Sequence, residues 1–273
     1  MTGSGAAGTG VALQGLPRHG LDDIRGKVVL VTGGSSGIGA EAALAFAGCG
    51  AAVAIQYRSG KVQAAALAER IKSAGGDAEA FAAEATDTAS LNRLANDARA
   101  RFGRVDILIN NAGGFVRRVA LAEADDALID EVFHQNARSM MALGRSVIPF
   151  MRAQGGGCII NVTSQAARTG ASPGAGLYAS TKAFVSTYTR ALAKELVADR
   201  IRVNAVSPGV IDTPIHAAHT SPALLEELRA AIPMRRLGRA DECSGTFLFL
   251  ASETLSSYIT GQIIEVNGGS VMP

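Results

Sequence analysis

Tyr178 and Lys182 stand four residues apart in Leu177-Tyr178-Ala179-Ser180-Thr181-Lys182. Apolar residues recur at helical spacing from there to Ala198, so the two side chains share one helix face, one turn apart. An ammonium held near a phenol favours the phenolate, which would draw the tyrosine down from its usual value of about 10. A tyrosine nearer neutrality can give a proton to a carbonyl oxygen or take one from an alcohol. Ser164 closely follows the apolar run Cys158–Val162, a candidate buried strand, and its hydroxyl can point at the same oxygen. Alone, a Tyr and a Lys at this spacing are ordinary surface decoration of a helix. They become a reaction centre if the chain also supplies a redox cofactor.

The segment that could hold one lies near the start. Lys27–Val31 is a short apolar run rich in valine, expected as a buried parallel strand. It runs into Thr32-Gly33-Gly34-Ser35-Ser36-Gly37-Ile38-Gly39 and then the helical pattern Ala40–Gly48. A strand, a glycine turn and a helix start form an anion site, where backbone N–H groups and the helix dipole meet a diphosphate. The loop lacks the Gly-Lys-Ser/Thr ending of a phosphate-binding kinase or ATPase loop. A second strand is expected over Ala51–Tyr57. An acidic residue at its end would bind a ribose 2′-hydroxyl, whereas an arginine would meet a 2′-phosphate. No acidic residue occurs between Glu41 and Glu69, while Arg58 and Ser59 follow the strand and Lys61 is close. NADP(H) is therefore favoured, with NAD(H) possible.

The alternation continues. Helices are expected over Lys61–Ala74, up to Phe102 from a cap at Thr88 or Ser90, over Ala124–Arg152 and over Leu177–Ala198. Strands are expected over Ala78–Ala82, Val105–Ile109, Cys158–Val162, Ile201–Val206 and Gln262–Val266. Strands separated by helices give right-handed crossovers and a parallel sheet covered on both faces. The expected fold class is thus α/β, a Rossmann-type doubly wound sheet of about seven strands in one domain over residues 26–273. Ligands in such sheets sit beyond the carboxyl ends of strands. The Thr32–Gly39 loop, Asn110–Gly113, Ser164 and Ser207-Pro208-Gly209 all follow strands, so they converge on one edge. Residues 1–25 are a Gly-rich leader, expected to be flexible.

Composition narrows the function classes. A net charge of +2 with scattered basic residues gives no field for nucleic acid or an anionic membrane. Cys49, Cys158 and Cys243 are widely spaced in apolar contexts, the pattern of buried reduced thiols rather than a zinc site or disulfide scaffold. No apolar stretch is long enough to span a bilayer, and Met1–Gly10 has no secretory signal pattern, so a cytoplasmic protein is expected.

With these residues in hand, the chain resembles the short-chain dehydrogenase/reductase family, and within it the 3-oxoacyl-reductase type. The resemblance covers roughly Gly26 to Gly269 and rests on motifs in the family's order: Thr32-Gly33-x-x-x-Gly37-x-Gly39, Asn110-Asn111-Ala112-Gly113, Asn136, Ser164, Tyr178-x-x-x-Lys182, and Ser207-Pro208-Gly209 with Thr213. It implies hydride transfer between a nicotinamide cofactor and a small carbonyl or alcohol substrate. Tyr178 would be the proton donor or acceptor, Lys182 would lower its pKa and hold the nicotinamide ribose, and Ser164 would orient the substrate oxygen. Asn136 would hold a water in a proton relay from Lys182. Asn110 would support the adenosine part, and Pro208, Gly209, Val210, Ile211 and Thr213 would frame the nicotinamide. Further cofactor contacts are implied for Ser35, Ser36, Ile38, Tyr57, Arg58, Ser59, Ala85, Asn111, Ala112 and Gly113. Two departures stand out. Glu84 occupies the place where many members carry an Asp near the adenine. Ser36 stands where many NADP-using relatives carry Arg or Lys, which leaves Arg58 as the main phosphate partner.

The substrate pocket is expected between Gly114–Val119, Gln165–Gly176 and a lid over 214–233. Arg117 and Arg118 could meet an acidic substrate, although adjacent arginines more often serve solvated surfaces. His216 and His219 have no third ligand beside them, so no metal is expected. The apolar faces of Ala124–Arg152 and Leu177–Ala198 suggest a homo-oligomer, a tetramer or a dimer. Alternatives on the same scaffold are an NAD-linked dehydrogenase, a lyase or epimerase, or a non-catalytic nucleotide sensor.

Overall fold

Val28–Val31 (β1) is buried at all four positions, as a strand covered on both faces must be. The computed structural model of the chain describes residues 20–214 and 220–273. β1 belongs to a seven-stranded, all-parallel sheet and lies third from one edge. The other strands are Ala52–Tyr57 (β2), Ala78–Ala82 (β3), Ile107–Asn110 (β4), Gly157–Val162 (β5), Ile201–Pro208 (β6) and Ile263–Val266 (β9), in the order β3-β2-β1-β4-β5-β6-β9, while the short strands Ile211–Asp212 (β7) and Gly238–Arg239 (β8) pair with each other. The register sets Leu30 beside Leu108, Ile109 beside Ile160, and Ile160 beside Asn204. The chain winds outward from β1 to β3, then returns to β4 on the other side of β1. That reversal opens a crevice beyond the carboxyl ends of β1 and β4.

The alternation of side chains along each strand divides the core in two. Val29, Val31, Ile55, Ile109 and Ile160 pack with Phe46 of the helix Gly37–Gly48 (α1), Leu67 of Lys61–Ser73 (α2), and Phe247 of a helix over Ser244–Ala251. Leu30, Leu108 and Ile159 point the other way. They meet Leu94 of Thr88–Phe102 (α3), Leu143 of Ser139–Ala153 (α5) and Leu192 of the long helix Gly176–Leu196 (α7), which follows the single turn Ala166–Thr169 (α6). Each fully buried Leu or Phe contributes roughly 1.5–3 kcal/mol of transfer free energy.

Several boundaries differ from the sequence reading. The single helix expected over Ala124–Arg152 is divided: Asp126–Phe133 (α4) passes into a π-helical turn, His134–Arg138, before α5 begins. The expected cap of α3 is neither Thr88 nor Ser90. Asp87 accepts from the Ala89 amide at 2.9 Å, and the Ser90 hydroxyl instead accepts from the Glu84 amide at 3.0 Å. Within the expected leader, Ile24 is 1% exposed, and Asp23 accepts from Ser252 Oγ at 3.0 Å and from the Thr254 amide at 3.1 Å. The fold therefore begins before Gly26. Residues 1–19 lie outside the described residues.

Candidate active site

The glycine loop is shaped by close approach. A Cβ on Gly39 would stand 2.4 Å from the Gly33 carbonyl oxygen and 2.5 Å from Asn111 Nδ2, so no side chain fits there. Gly33 and Gly37 hold φ of +61° and +55°, in the left-handed region that glycine adopts at little cost. Thr32 ties the loop to the end of β4: its hydroxyl donates to the Ile109 carbonyl and accepts from the amides of Asn111 and Ala112, each at 2.9 Å. Asn111 Nδ2 donates back to the Thr32 and Gly33 carbonyls. The first turn of α1 has no side-chain cap from Ser36, so its leading N–H groups face the cleft available to an anion. This cradle fits a dinucleotide diphosphate. The cleft above it is lined by Ser35, Ser36, Gly37, Ile38, Arg58, Ser59, Ala85, Ala112 and Gly113, with no Asp or Glu among its described lining.

A second cleft adjoins it, with Ile38, Asn111, Gly113 and Thr213 lining both. Ser164, Tyr178 and Lys182 lie in this second cleft, with Pro208, Gly209, Val210 and Ile211. Ser164 is carried just beyond β5, and its hydroxyl accepts from the Ala166 amide at 3.1 Å. Tyr178 and Lys182 come from the first two turns of α7. Lys182 is 4% exposed, and its Nζ donates to the Val162 carbonyl at 2.8 Å while standing 5.7 Å from the Tyr178 ring centre. Burial disfavours both charged forms. It pulls the Lys182 ammonium down to about 8. It pushes the Tyr178 phenol up, and the hydrogen bond with Ser164 pulls the other way. The expected lowering by Lys182 is absent: desolvation dominates, and the Ser164 hydrogen bond is what offsets it.

Asn136 sits in the π-helical turn, 2% exposed. Its Nδ2 donates to the carbonyls of Val132 and Gly114, both at 3.0 Å, and its Oδ1 accepts from the Gly114 amide at 2.8 Å. A Cβ on Gly113 would stand 2.6 Å from Asn136 Oδ1 and 3.3 Å from Lys182 Nζ. The π turn therefore sets Asn136 against the loop after β4 and beside Lys182. A π turn inside a helix often marks a functional position.

Other expected contacts fall elsewhere. Tyr57 packs against the core, not into the cleft; the side chain of β2 that faces the cleft is Gln56, which the sequence reading missed. Gln56 Oε1 accepts from the Gly33 amide at 2.8 Å, and its Nε2 donates to the Ala83 carbonyl at 2.7 Å. Period-two alternation from the buried Ile55 was the available signal. Glu84 turns away, its carboxylate accepting from the amide and hydroxyl of Thr86 at 3.3 and 3.1 Å. Asn110 is in the sheet interior, donating to Asn161 Oδ1 at 2.9 Å. Thr213 does line both clefts, its hydroxyl donating to the Ile211 carbonyl at 3.2 Å. Gln135, also unforeseen, lines the cofactor cleft, and Leu228 of the expected 214–233 segment lines the catalytic cleft. His216 and His219 lie outside the described residues. Among those described, no cluster of metal-binding side chains occurs.

A seven-stranded parallel sheet with a glycine cradle beside a Ser-Tyr-Lys cleft defines a nicotinamide-dependent oxidoreductase scaffold. The chain belongs to the short-chain dehydrogenase/reductase family: the family model described as enoyl-(acyl carrier protein) reductase matches residues 33–271. It is 36% identical over 249 residues to the 3-oxoacyl-acyl-carrier-protein reductase FabG of Thermotoga maritima, covering 91% of this chain and 99% of that protein. It is also 36% identical to the chloroplastic NADPH-dependent aldehyde reductase 1 of Arabidopsis thaliana, with 91% and 88% covered. A solved NADH-dependent reductase responsible for alginate metabolism superposes with a TM-score of 0.85 at 38% identity, covering 92% of this chain and all of that one.

Proposed function

We propose that the protein is an NADP(H)-dependent oxidoreductase that interconverts a carbonyl and an alcohol, with Tyr178 as the general acid and base. The observation that carries this reading is the meeting of Ser164, Tyr178 and Lys182 in one cleft that opens onto the glycine cradle. When bound, the nicotinamide supplies or accepts the hydride. Ser164 and Tyr178 bind the substrate oxygen, and the raised phenol of Tyr178 keeps its proton ready to donate to a developing alkoxide. Lys182 holds the ribose, and Asn136 positions the loop at Gly114 and the relay of protons from Lys182. Thr32, Gly33, Ser35 to Gly39, Arg58, Ser59, Ala85, Asn111 to Gly113 and Pro208 to Ile211 hold the cofactor, with Thr213.

NADP(H) is favoured because Arg58 is exposed at the end of β2, on the rim of a cleft without an acid. NAD(H) is the alternative, since the relatives include enzymes of both preferences. Titration of NADPH against NADH with wild type and Arg58→Ala decides between them. Preference for NADPH that the variant loses supports Arg58 as the reader; equal or tighter binding of NADH overturns it. Net consumption of reduced cofactor with a carbonyl panel separates an oxidoreductase from a lyase, an epimerase or a nucleotide sensor.

The same reading makes residues 214–233 a lid; 215–219 lie outside the described residues, and Leu228 of the helix Pro222–Ala231 lines the cleft. It also makes the protein a cytoplasmic homo-oligomer, a tetramer or a dimer. The thiols are free, and no helix among the described residues is long and apolar enough to cross a membrane. Phe133 of α4, 39% exposed, meets Phe184 of α7 edge-on at 5.3 Å, and Phe184 stacks on Tyr188 at 5.8 Å. An aromatic row across two helices suits burial against another copy. A monomeric mass by light scattering would remove that part of the proposal.

A further inference from the structure

The two adjacent arginines that the sequence could not separate go to different places. Arg117 is exposed and pairs with Asp125 at 3.2 Å. Arg118 lines the catalytic cleft. Its guanidinium carbon stands 4.8 Å from the centre of the Phe115 ring, and that ring lies 4.4 Å from the Tyr178 ring. Arg118 is therefore within about 9 Å of the Tyr178 ring, by these two distances. We infer that Arg118 determines substrate specificity by binding the carboxylate of a small oxo acid, or of the matching hydroxy acid, whose reacting carbon lies at Tyr178. The inference rests on the oxidoreductase reading above.

Three observations support it. The charged side chains lining the cleft are Arg118 and Lys182, and no Asp or Glu is among its described lining, so its field favours an anion. Neutral oxygens are among the partners of Arg118: Nη1 donates to Ser172 Oγ at 3.0 Å and the Pro173 carbonyl at 3.3 Å, and Nη2 to Thr220 Oγ1 at 3.5 Å. These bonds fix the plane of the guanidinium at the cleft wall, and a fixed guanidinium is a group that meets a carboxylate with directional charge-assisted bonds. Burial pulls Arg118 below the usual arginine value, and an anionic ligand recovers that lost solvation. Gln165 adds a requirement for a hydrogen-bond donor on the ligand. Its Oε1 is buried in this cleft without a hydrogen-bond partner among the described residues. An apolar chain would leave that acceptor unmet, whereas a hydroxyl on the substrate would satisfy it. A short, hydroxylated oxo acid therefore suits the cleft better than a long acyl chain.

The test compares an oxo acid with its methyl ester in wild type, Arg118→Gln and Arg117→Gln. Wild type is expected to favour the acid in kcat/KM by roughly 10- to 100-fold, the range of a charge-assisted hydrogen-bonded contact. Arg118→Gln should bring the ratio close to one through a raised KM for the acid, while Arg117→Gln keeps the wild-type ratio. A wild type that does not discriminate overturns the inference. So does an Arg118→Gln variant that loses acid and ester activity equally, since Arg118 would then only latch the surrounding loops. Calorimetric titration of malonate into the protein with NADPH gives a readout independent of turnover. Malonate binding that depends on Arg118, without reduction of any carbonyl, would keep the anion site and overturn the reaction. Turnover with neither acid preference nor Arg118-dependent malonate binding would do the reverse.

Discussion

Replacing Lys182 with methionine should stabilise the protein while ending its turnover. Lys182 is 4% exposed, and burial lowers it from 10.5 to about 8. A shift of that size is a penalty of roughly 3 kcal/mol for holding the ammonium in the fold at pH 7. Methionine has similar bulk and carries no charge. Against the relief stands the lost bond from Nζ to the Val162 carbonyl at 2.8 Å, about 1–2 kcal/mol. The net gain at pH 7 is about 1–2 kcal/mol, a rise in Tm of roughly 3–6 °C for a domain of this size. The pH dependence has a definite sign. The folded pKa lies below the unfolded one, so the unfolded chain binds more protons between about pH 8 and 10.5, and wild-type stability from this group rises with pH across that window. About 2 kcal/mol of the penalty is relieved by pH 9.5, so the advantage of the variant should vanish there. Thermal unfolding of both proteins without added cofactor, from pH 7 to 9.5, reads this directly. A variant that melts below wild type at pH 7, or a gap that stays constant with pH, would refute the reasoning.

Two further substitutions probe the scaffold of the site. Gly39→Ala places a methyl 2.4 Å from the Gly33 carbonyl oxygen; it should cost about 1–3 kcal/mol by overpacking and lower dinucleotide affinity at least ~10-fold, as read by fluorescence titration. Asn136→Ala removes the bonds to Val132 and to both backbone groups of Gly114. A loss of about 2–3 kcal/mol is expected, with faster hydrogen exchange at the Gly114 amide; unchanged exchange there would show that Asn136 does not hold this loop.

The strands, the glycine cradle and the Tyr178–Lys182 pair were legible because each is written in local pattern: apolar runs, glycine offsets and a four-residue spacing. What escaped depends on contacts distant in sequence. The π turn at His134–Arg138 is tied to Gly114, twenty-two residues from Asn136, and helical periodicity alone predicts an uninterrupted helix. Choosing Gln56 over Tyr57 required knowing which side of β2 faces the cleft. The helix over Ser244–Ala251 reads Ser-Gly-Thr-Phe-Leu-Phe-Leu-Ala, without a polar face to give a period. The separate fates of Arg117 and Arg118 are decided in a loop, where no periodicity applies. The direction of the Tyr178 shift follows from burial, which spacing does not encode.

The central claim is that Tyr178 handles the proton in the cleft beside the cofactor. Its most direct test is turnover by Tyr178→Phe at saturating cofactor, with cofactor binding measured on the same protein. The account predicts a loss of roughly 100- to 10,000-fold in rate, the range for removing a general acid, with cofactor affinity retained. Full activity in the variant would contradict the account.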